Sequence, residues 1–590
     1  MQTATIEPGL LSAVKAWIAT DPDPGARAEL EALVAAGDAG ELRERFAAPL
    51  EFGTAGLRGL LGAGPGRMNV ATVTQAAAAV ARQLLEDVPN AAARGVVVGR
   101  DARLMSDTFA RVTAEVLAAH GVTVHWLPQP APTPVVAFVG RHRNAAGVCI
   151  VTASHNPPEY NGFKVYGPSA SQIVPPQDAR IREQRDAIHN PAGVARLDFT
   201  AAVHQGLVRI VGRGDFEAYM TALDAQCMAP VPPPMQLKVV TTALHGVGHA
   251  WVAEALSRRG HRHLLPVYEQ AHPDGRFPTV RFPNPEEKGA LDLAIELAVE
   301  KDATLILAND PDTDRLAVVA RRAGAHGKGA WRQLTGNEVG LLLADWILSE
   351  GPKRADWPAK PLTICSLVST MMLEPLAANH GVAYAEVLTG FKWIWHEALK
   401  REVEGETFVF GFEEALGYCV GRAVRDKDGV GAAQVLMELA AHEAAAGRTL
   451  FDRLDAIALR IGLSVTDQVT VVLPGLDGLQ RIGRIMAAWR KDAANPHPFG
   501  AGVPSVARLR DLDGPDADKL GCPRSNVLTW WLDDGTRIIA RPSGTEPKLK
   551  VYLEARAEVG AEGLDAARAD AATRVEALKR AIDEAVSRIA

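Results

Sequence analysis

Apolar and polar positions follow one another along this chain in short blocks. The run Val148-Cys149-Ile150-Val151 is uniformly apolar and stops at Thr152, as a short buried strand opening into a polar loop would. Pro157 and Pro158 keep that loop from continuing as sheet or helix. Ser154 and His155 therefore fall just past a strand's carboxyl end, and Lys164 follows the Asn161-Gly162 turn signal in the same loop. Similar blocks predict a helix over 72–85 and strands over 96–98, 122–126, 237–240, 304–307, 362–365, 383–387 and 407–410. Strand, polar loop and helix in alternation define an α/β class built from βαβ units.

The two ends of the chain read differently. Residues 1–48 carry two or three helices, broken at Asp21-Pro22-Asp23-Pro24-Gly25. Toward the other end, 468–473, 527–532 and 537–541 read as antiparallel strands, with Asp533-Asp534-Gly535 turning the last pair into a hairpin. A closing helix spaces Val575, Leu578, Ile582, Val586 and Ile589 by three and four, which marks one buried face. The expected organisation is three α/β domains at 1–212, 213–325 and 326–458, then a smaller α+β domain at 459–590. The Val231-Pro232-Pro233-Pro234 run precedes the first strand of the second domain.

Composition narrows the class. Apolar content of 47% and charged content of 23% are those of an ordinary globular protein. A net charge of −7 offers no surface for nucleic acid. No apolar run approaches the ~20 residues that cross a bilayer, and Glu7 near the start argues against a secretory leader. Five scattered cysteines without Cys-x-x-Cys spacing favour free thiols in a reducing compartment, so the expected location is cytoplasmic.

Five stretches carry chemistry. The serine loop places a hydroxyl, an imidazole and an ammonium close together in sequence. Asn309-Asp310-Pro311-Asp312-Thr313-Asp314-Arg315 puts three carboxylates at alternate positions, which repel one another unless a cation gathers them. Oxygen ligands alone select Mg²⁺ or Ca²⁺. An EF-hand is excluded because Arg315 and Arg321 stand where its glycine and glutamate must be. Arg541-Pro542-Ser543-Gly544-Thr545 offers a guanidinium, two hydroxyls and a freed backbone, the donors a phosphate dianion needs. Gly53, Gly56, Gly59 and Gly62 surround Arg58 and permit close backbone approach to a ligand. Glu413 and Glu414, after the 407–410 strand, are acceptors suited to sugar hydroxyls. Arg100-Asp101-Ala102-Arg103 reads as a structural ion-pair corner.

Thr152-Ala153-Ser154-His155-Asn156-Pro157 resembles the phosphoserine loop of the α-D-phosphohexomutases, the phosphoglucomutase and phosphomannomutase superfamily. Its continuation through Tyr166 is most similar to the phosphoglucomutase-2-like and phosphopentomutase-like branch. The stretches around Arg58, Asp310 and Arg541 resemble the family's other motifs, in its order, from about residue 48 onward. The resemblance implies three related α/β domains and a smaller fourth around a central cleft. It implies Ser154 as phosphoryl carrier, helped by Arg58, His155 and Lys164, with Mg²⁺ on Asp310, Asp312, Asp314 and the Ser154 phosphate. Arg315, Thr389, Gly390, Lys392, Glu413, Ala415, Lys427, Arg541, Ser543, Gly544 and Thr545 would bind substrate. Ala415 departs from the family, which has a serine there. The implied reaction is reversible 1-phosphate/6-phosphate interconversion of a hexose, glucose first, through glucose 1,6-bisphosphate as intermediate and activator. Phosphomannomutase and phosphopentomutase activities are the alternatives, and a sugar-phosphate phosphatase is a remoter one. The expected partner is a small phosphosugar, with no nucleic acid and no membrane, in a monomer or dimer.

Overall fold

The computed structural model describes residues 6–51, 56–230, 237–322, 324, 327–473, 477–492, 494–500, 502–543 and 548–589. The chain forms two compact units. The first comprises residues 1–334, 390–400 and 415–445, and the second residues 335–389, 401–414 and 446–590.

The first unit opens with three helices, α1 (Pro8–Thr20), α2 (Pro24–Ala36) and α3 (Ala39–Phe46). Asp23 caps α2 by accepting from the Gly25 N–H, and Pro24 occupies a position where a missing N–H costs nothing. Val14, Leu30 and Leu42 form a small core of their own with Trp17 and Phe46. A six-stranded sheet follows, built from β1 (Leu57–Leu60), β2 (Val96–Arg100), β3 (Val124–Trp126), β4 (Gly147–Val151), β5 (Tyr160–Tyr166) and β6 (Val208–Ile210). Its order is β1-β5-β4-β2-β3-β6. Every residue of β2, β3 and β4 is buried, as expected for parallel strands covered on both faces. The helix α4 (Val70–Asp87) starts at an Asn69/Thr72 capping box and buries a row of alanines, Ala76 to Ala79, in this core.

One expectation is corrected here. Lys164 does not lie in the serine loop but on β5, antiparallel to β4 with Val151 opposite Phe163. Tyr160, Phe163, Val165 and Tyr166 suit a pleated strand, and pairing with both β4 and β1 satisfies its backbone. The serine loop is thus the connection of a β-hairpin. A Cβ on Gly162 would lie 2.5 Å from the Thr152 carbonyl oxygen and 2.7 Å from that of Leu57, so only glycine lets the strands close on the loop.

The second sheet of this unit contains β7 (Val239–Thr242), β8 (Leu264–Pro266), β9 (Leu305–Ala308), β10 (Ala317–Arg321) and β11 (Trp331–Gln333), in the order β11-β10-β9-β7-β8. The acidic loop joins β9 to the antiparallel β10. Like the serine loop it is a hairpin connection leaving a buried strand.

In the second unit, β12 (Pro361–Ser366), β13 (Ala383–Val387) and β14 (Thr407–Glu413) pair in parallel in the order β13-β12-β14. β15 (Gly417–Val420) returns to the first unit. An antiparallel sheet then runs β16-β20-β19-β18-β17, from β16 (Leu463–Val472), β17 (Val506–Asp511), β18 (Leu528–Leu532), β19 (Arg537–Pro542) and β20 (Lys548–Ala557). One face of it packs Trp530, Ile538 and Leu553 against the closing helix Leu564–Ile589, which buries Val575, Leu578, Ile582 and Val586 as its spacing predicted. The opposite face carries the buried pair Arg537–Glu554, 2.7 Å apart. Arg537 donates to the Leu367 carbonyl, and Glu554 accepts from Thr370 Oγ1 and the Met371 N–H. This sheet is therefore fastened to the segment that follows β12.

No helix among the described residues is long and apolar enough to cross a membrane. The five cysteines are free thiols, as expected, and only Cys522 is not fully buried.

Candidate active site

Ser154 sits in the left-handed region, φ 54°, and its N–H donates to Thr152 Oγ1 at 2.9 Å. This turn sends the side chain across to the acidic loop, where Ser154 Oγ donates to Asp310 Oδ2 at 2.9 Å. His155 Nδ1 lies 3.2 Å from the same hydroxyl. Burial, then the charges of Arg315 and Arg58, push the His155 imidazole well below its usual pKa and so favour its neutral form. Arg58, on β1, reaches the loop by donating to Asn156 Oδ1 at 3.0 Å. Residues 52–55 of its glycine-rich stretch, Gly53 among them, lie outside the described residues.

The three aspartates are buried and offer oxygens that all lie within 4.8 Å of one another. Lys164 Nζ donates to Asp312 Oδ2 at 2.8 Å and Asp314 Oδ2 at 3.0 Å, and Lys427 Nζ lies 3.0 Å from Asp314 Oδ2. Burial opposes ionisation of Asp312 and Asp314, but Lys164, joined on Asp314 by Lys427 and Arg315, outweighs it and holds both carboxyls low. Asp310 has less compensation. Burial, with Asp312 and Asp314 adding to it, pushes its carboxyl well above the ordinary range. Asp312 Oδ1 and Asp314 Oδ1 are buried and have no hydrogen-bond partner. Unpaired buried carboxylate oxygens beside a third carboxylate are a costly arrangement that a hard divalent cation relieves. The residues present therefore fit Mg²⁺.

Neighbouring segments hold the acidic loop in shape. Thr133 donates its hydroxyl to Asp312 Oδ2 at 2.7 Å and its N–H to the Asp312 carbonyl at 2.9 Å. The Val247 N–H donates to the Pro311 carbonyl at 2.9 Å. Gly246 passes so close that a Cβ there would lie 2.3 Å from Pro311 Cα. Arg315 approaches Asp314 Oδ1 at 3.8 Å and donates to the Ala415 carbonyl at 2.9 Å. Lys427 is flanked by Asp426, which also accepts from Tyr166 Oη at 2.5 Å and from Gln172 Nε2 at 2.8 Å. The first unit thus brings together Arg58, Ser154, His155, Lys164, the three aspartates, Arg315, Ala415 and Lys427.

Lys392 stands apart from this group. It begins the helix Phe391–Val403, where its Nζ lies 5.4 Å from the Trp393 ring and Asp178 is the charge it feels. Gly390, just before that helix, has φ 118°.

The second unit holds the remaining predicted residues. Thr389 presents a buried Oγ1 without a hydrogen-bond partner. Glu413 ends β14 and is 9% exposed. Glu414 is fixed by the Ser366 and Ser369 hydroxyls at 3.3 and 3.4 Å. Tyr552 lies on β20 and is buried. Burial, then Glu414, push its phenol upward, while Arg541, hydrogen-bonded to it, opposes. The Ser543 N–H donates to the Lys548 carbonyl, and Gly544 and Thr545 lie outside the described residues.

Sequence reasoning missed Thr133, Asp426 and Tyr552, none of which has a local signal. Arg103 did have one, the ion-pair corner, but its reach to the serine loop is a tertiary fact.

Comparison with known proteins places this geometry. Residues 49–192, 217–324 and 335–458 match the α/β/α domains I, II and III of phosphoglucomutase/phosphomannomutase, and 506–571 match the C-terminal domain. The chain belongs to the phosphoglucomutase/phosphomannomutase family, within the α-D-phosphohexomutase superfamily. It is 40% identical over 498 residues to a "Probable phosphomannomutase" of Haemophilus influenzae, covering 83% of this chain and 93% of that protein. It is 34% identical over 570 residues to the phosphopentomutase of Homo sapiens, covering 92% of this chain and 91% of that protein. Parafusin of Paramecium shares the fold, with a TM-score of 0.68, 18% identity and coverage of 91% and 96%. The chain is an enzyme of this phosphotransferase and isomerase superfamily, whose mechanism is metal-assisted intramolecular phosphoryl transfer.

Proposed function

We propose that this enzyme is a phosphopentomutase, interconverting a pentose 1-phosphate and 5-phosphate, with Ser154 as phosphoryl carrier. The observation that carries the mutase reading is the Ser154 hydroxyl, buried and hydrogen-bonded to Asp310, beside three carboxylates and two ammonium groups. The pentose reading replaces the expected preference for glucose. It is supported by relatives such as the human phosphopentomutase, which match over nearly their whole length. Mannose is the second choice, favoured by the 40% identity to the Haemophilus protein.

In the resting enzyme Ser154 carries the phosphoryl group. A substrate hydroxyl attacks phosphorus, the bond to Oγ breaks, and a sugar bisphosphate forms. After the sugar turns end for end, Oγ takes the other phosphoryl group and regenerates the carrier. The proton released by the attacking hydroxyl passes to Oγ as it leaves, and the return step reverses this; His155 Nδ1, 3.2 Å from Oγ, is within reach to relay it. Lys164, Lys427 and Arg58 supply fixed positive charge around the transfer. Mg²⁺, when bound by Asp310, Asp312 and Asp314, adds charge that neutralises the phosphoryl oxygens. Glu413 would bind the sugar ring and Arg541 with Ser543 the phosphate that is not reacting. The domain boundaries at 212, 325 and 458 belong to this proposal.

A panel of ribose, mannose, glucose and N-acetylglucosamine 1-phosphates tests it. Ribose 1-phosphate should give the highest kcat/KM and yield ribose 5-phosphate. Release of inorganic phosphate instead would mark a phosphatase, and a clear preference for glucose would overturn the pentose reading.

A further inference from the structure

Arg103 has the partner its sequence setting suggests, with Nε 3.3 Å from Asp101 Oδ2 and the side chain fully buried. The rest of the guanidinium is engaged on the serine loop. Nη2 donates to the carbonyl oxygens of Ser154 at 2.6 Å and Asn156 at 2.5 Å. Nη1 donates to those of Pro157 at 2.8 Å and Tyr160 at 3.2 Å. One planar cation therefore gathers four carbonyls of the segment that carries Ser154. Its face is covered by Phe277, whose ring centre lies 4.9 Å from Arg103 Cζ. Nearby, Gly275 packs so tightly that a Cβ would sit 2.7 Å from Arg103 Cα.

A loop that holds a serine at φ 54° turns several carbonyls inward; that of Pro157 also accepts the Tyr160 N–H at 3.1 Å, whereas those of Ser154 and Asn156 rely on Arg103. Carbonyl dipoles converging without a donor repel, and the turn would open. A guanidinium presents five donors in a rigid plane and can span two pairs of acceptors; an ammonium presents three from one point and cannot. The geometry points to Arg103 as a positioning residue of the phosphoryl transfer: clamped between Asp101 and Phe277, it holds Ser154 in the conformation that brings Oγ to Asp310. It contacts no reacting atom. This inference rests on Ser154 being the phosphoryl carrier.

The test uses the full chain with Arg103→Lys and Arg103→Ala, alongside peptide mass mapping of phosphoserine in the wild type. Arg103→Lys keeps a cation opposite Asp101 and should retain the wild-type circular dichroism. Its kcat should fall about 100-fold with KM unchanged, the pattern of a misplaced nucleophile with intact substrate binding. In Arg103→Ala, millimolar guanidinium should restore part of kcat, and ammonium should not. Wild-type kcat in folded Arg103→Lys, or a loss confined to KM, overturns the inference. So does failure of both variants to fold, which would assign Arg103 to the fold alone. A wild type that turns over without phosphoserine at Ser154 sinks the proposed carrier and this inference together, whereas the other outcomes leave the carrier standing.

Discussion

Asp428 offers a quantitative test of the electrostatics around the site. It is 3% exposed, and its Oδ1 accepts from Tyr219 Oη at 2.9 Å and from the Val430 and Gly431 N–H groups at 3.0 Å each. Oδ2 is buried without a hydrogen-bond partner. Burial dominates these hydrogen bonds and raises the carboxyl from 3.8 to about 6. Between about pH 4 and pH 6 the folded chain therefore binds more protons here than the unfolded chain, so stability falls as pH rises through that window. At about 1.4 kcal/mol per unit, the shift amounts to about 3 kcal/mol, fully felt above pH 6 and absent below pH 4. Asp428→Asn keeps the Oδ1 acceptor and removes the charge. Unfolding free energies of wild type and variant, measured in urea from pH 4 to pH 8, should separate in the variant's favour by about 3 kcal/mol across the window and run parallel beyond it. Curves parallel throughout, or a gap that widens toward low pH, would refute the assignment.

Four further outcomes are expected. Ser154→Ala should abolish turnover and the phosphopeptide while leaving the melting temperature near that of the wild type; phosphate mapped to another residue would count against it. Asp312→Ala should lose activity and also the Mg²⁺-dependent rise in melting temperature that EDTA reverses in the wild type. Arg541→Ala should lower kcat/KM about 10- to 100-fold, the worth of a charge-assisted hydrogen bond. That variant should weaken binding of the sugar 1-phosphate and of its isomer alike, with Ser154 still phosphorylated. Glu554→Ala leaves Arg537 without its closest carboxylate and should cost about 3–5 kcal/mol in denaturant unfolding, whereas a loss near zero would mean that Glu386, 3.5 Å from Arg537, suffices.

Strand ends were the legible part of this molecule. The runs into Thr152 and into Asn309 announced themselves because a strand buried on both faces is apolar throughout and must stop where polar residues begin. The closing helix was equally plain, since its apolar face follows the helical period. Lys164 was misplaced because Asn161-Gly162 is a turn signal in isolation, and only pairing with β1 and β4 converts it to strand. Lys427 could be tied to the site only through the family pattern, because its bond to Asp314 spans two of the three chain segments of the first unit. Tyr552 and Thr133 were invisible for the same reason: a single tyrosine in a strand or a threonine before a helix has no local mark of what it will touch.

The five passages of the chain between the two compact units bear on how the protein is made. Asp310, Asp312 and Asp314 leave the ribosome after Lys164 but well before Lys427, and residues 415–445 complete the first unit only after segments of the second have been synthesised. The first unit cannot finish folding as an N-terminal bead while the rest is awaited. A polypeptide released at residue 334 would keep Lys164 and Arg315 beside its acidic loop but lack Lys427, the Ala415 carbonyl that orients Arg315, and the Gly429 N–H that donates to Thr313. Such a fragment would be a poor candidate for independent expression and a ready one for chaperones and proteases.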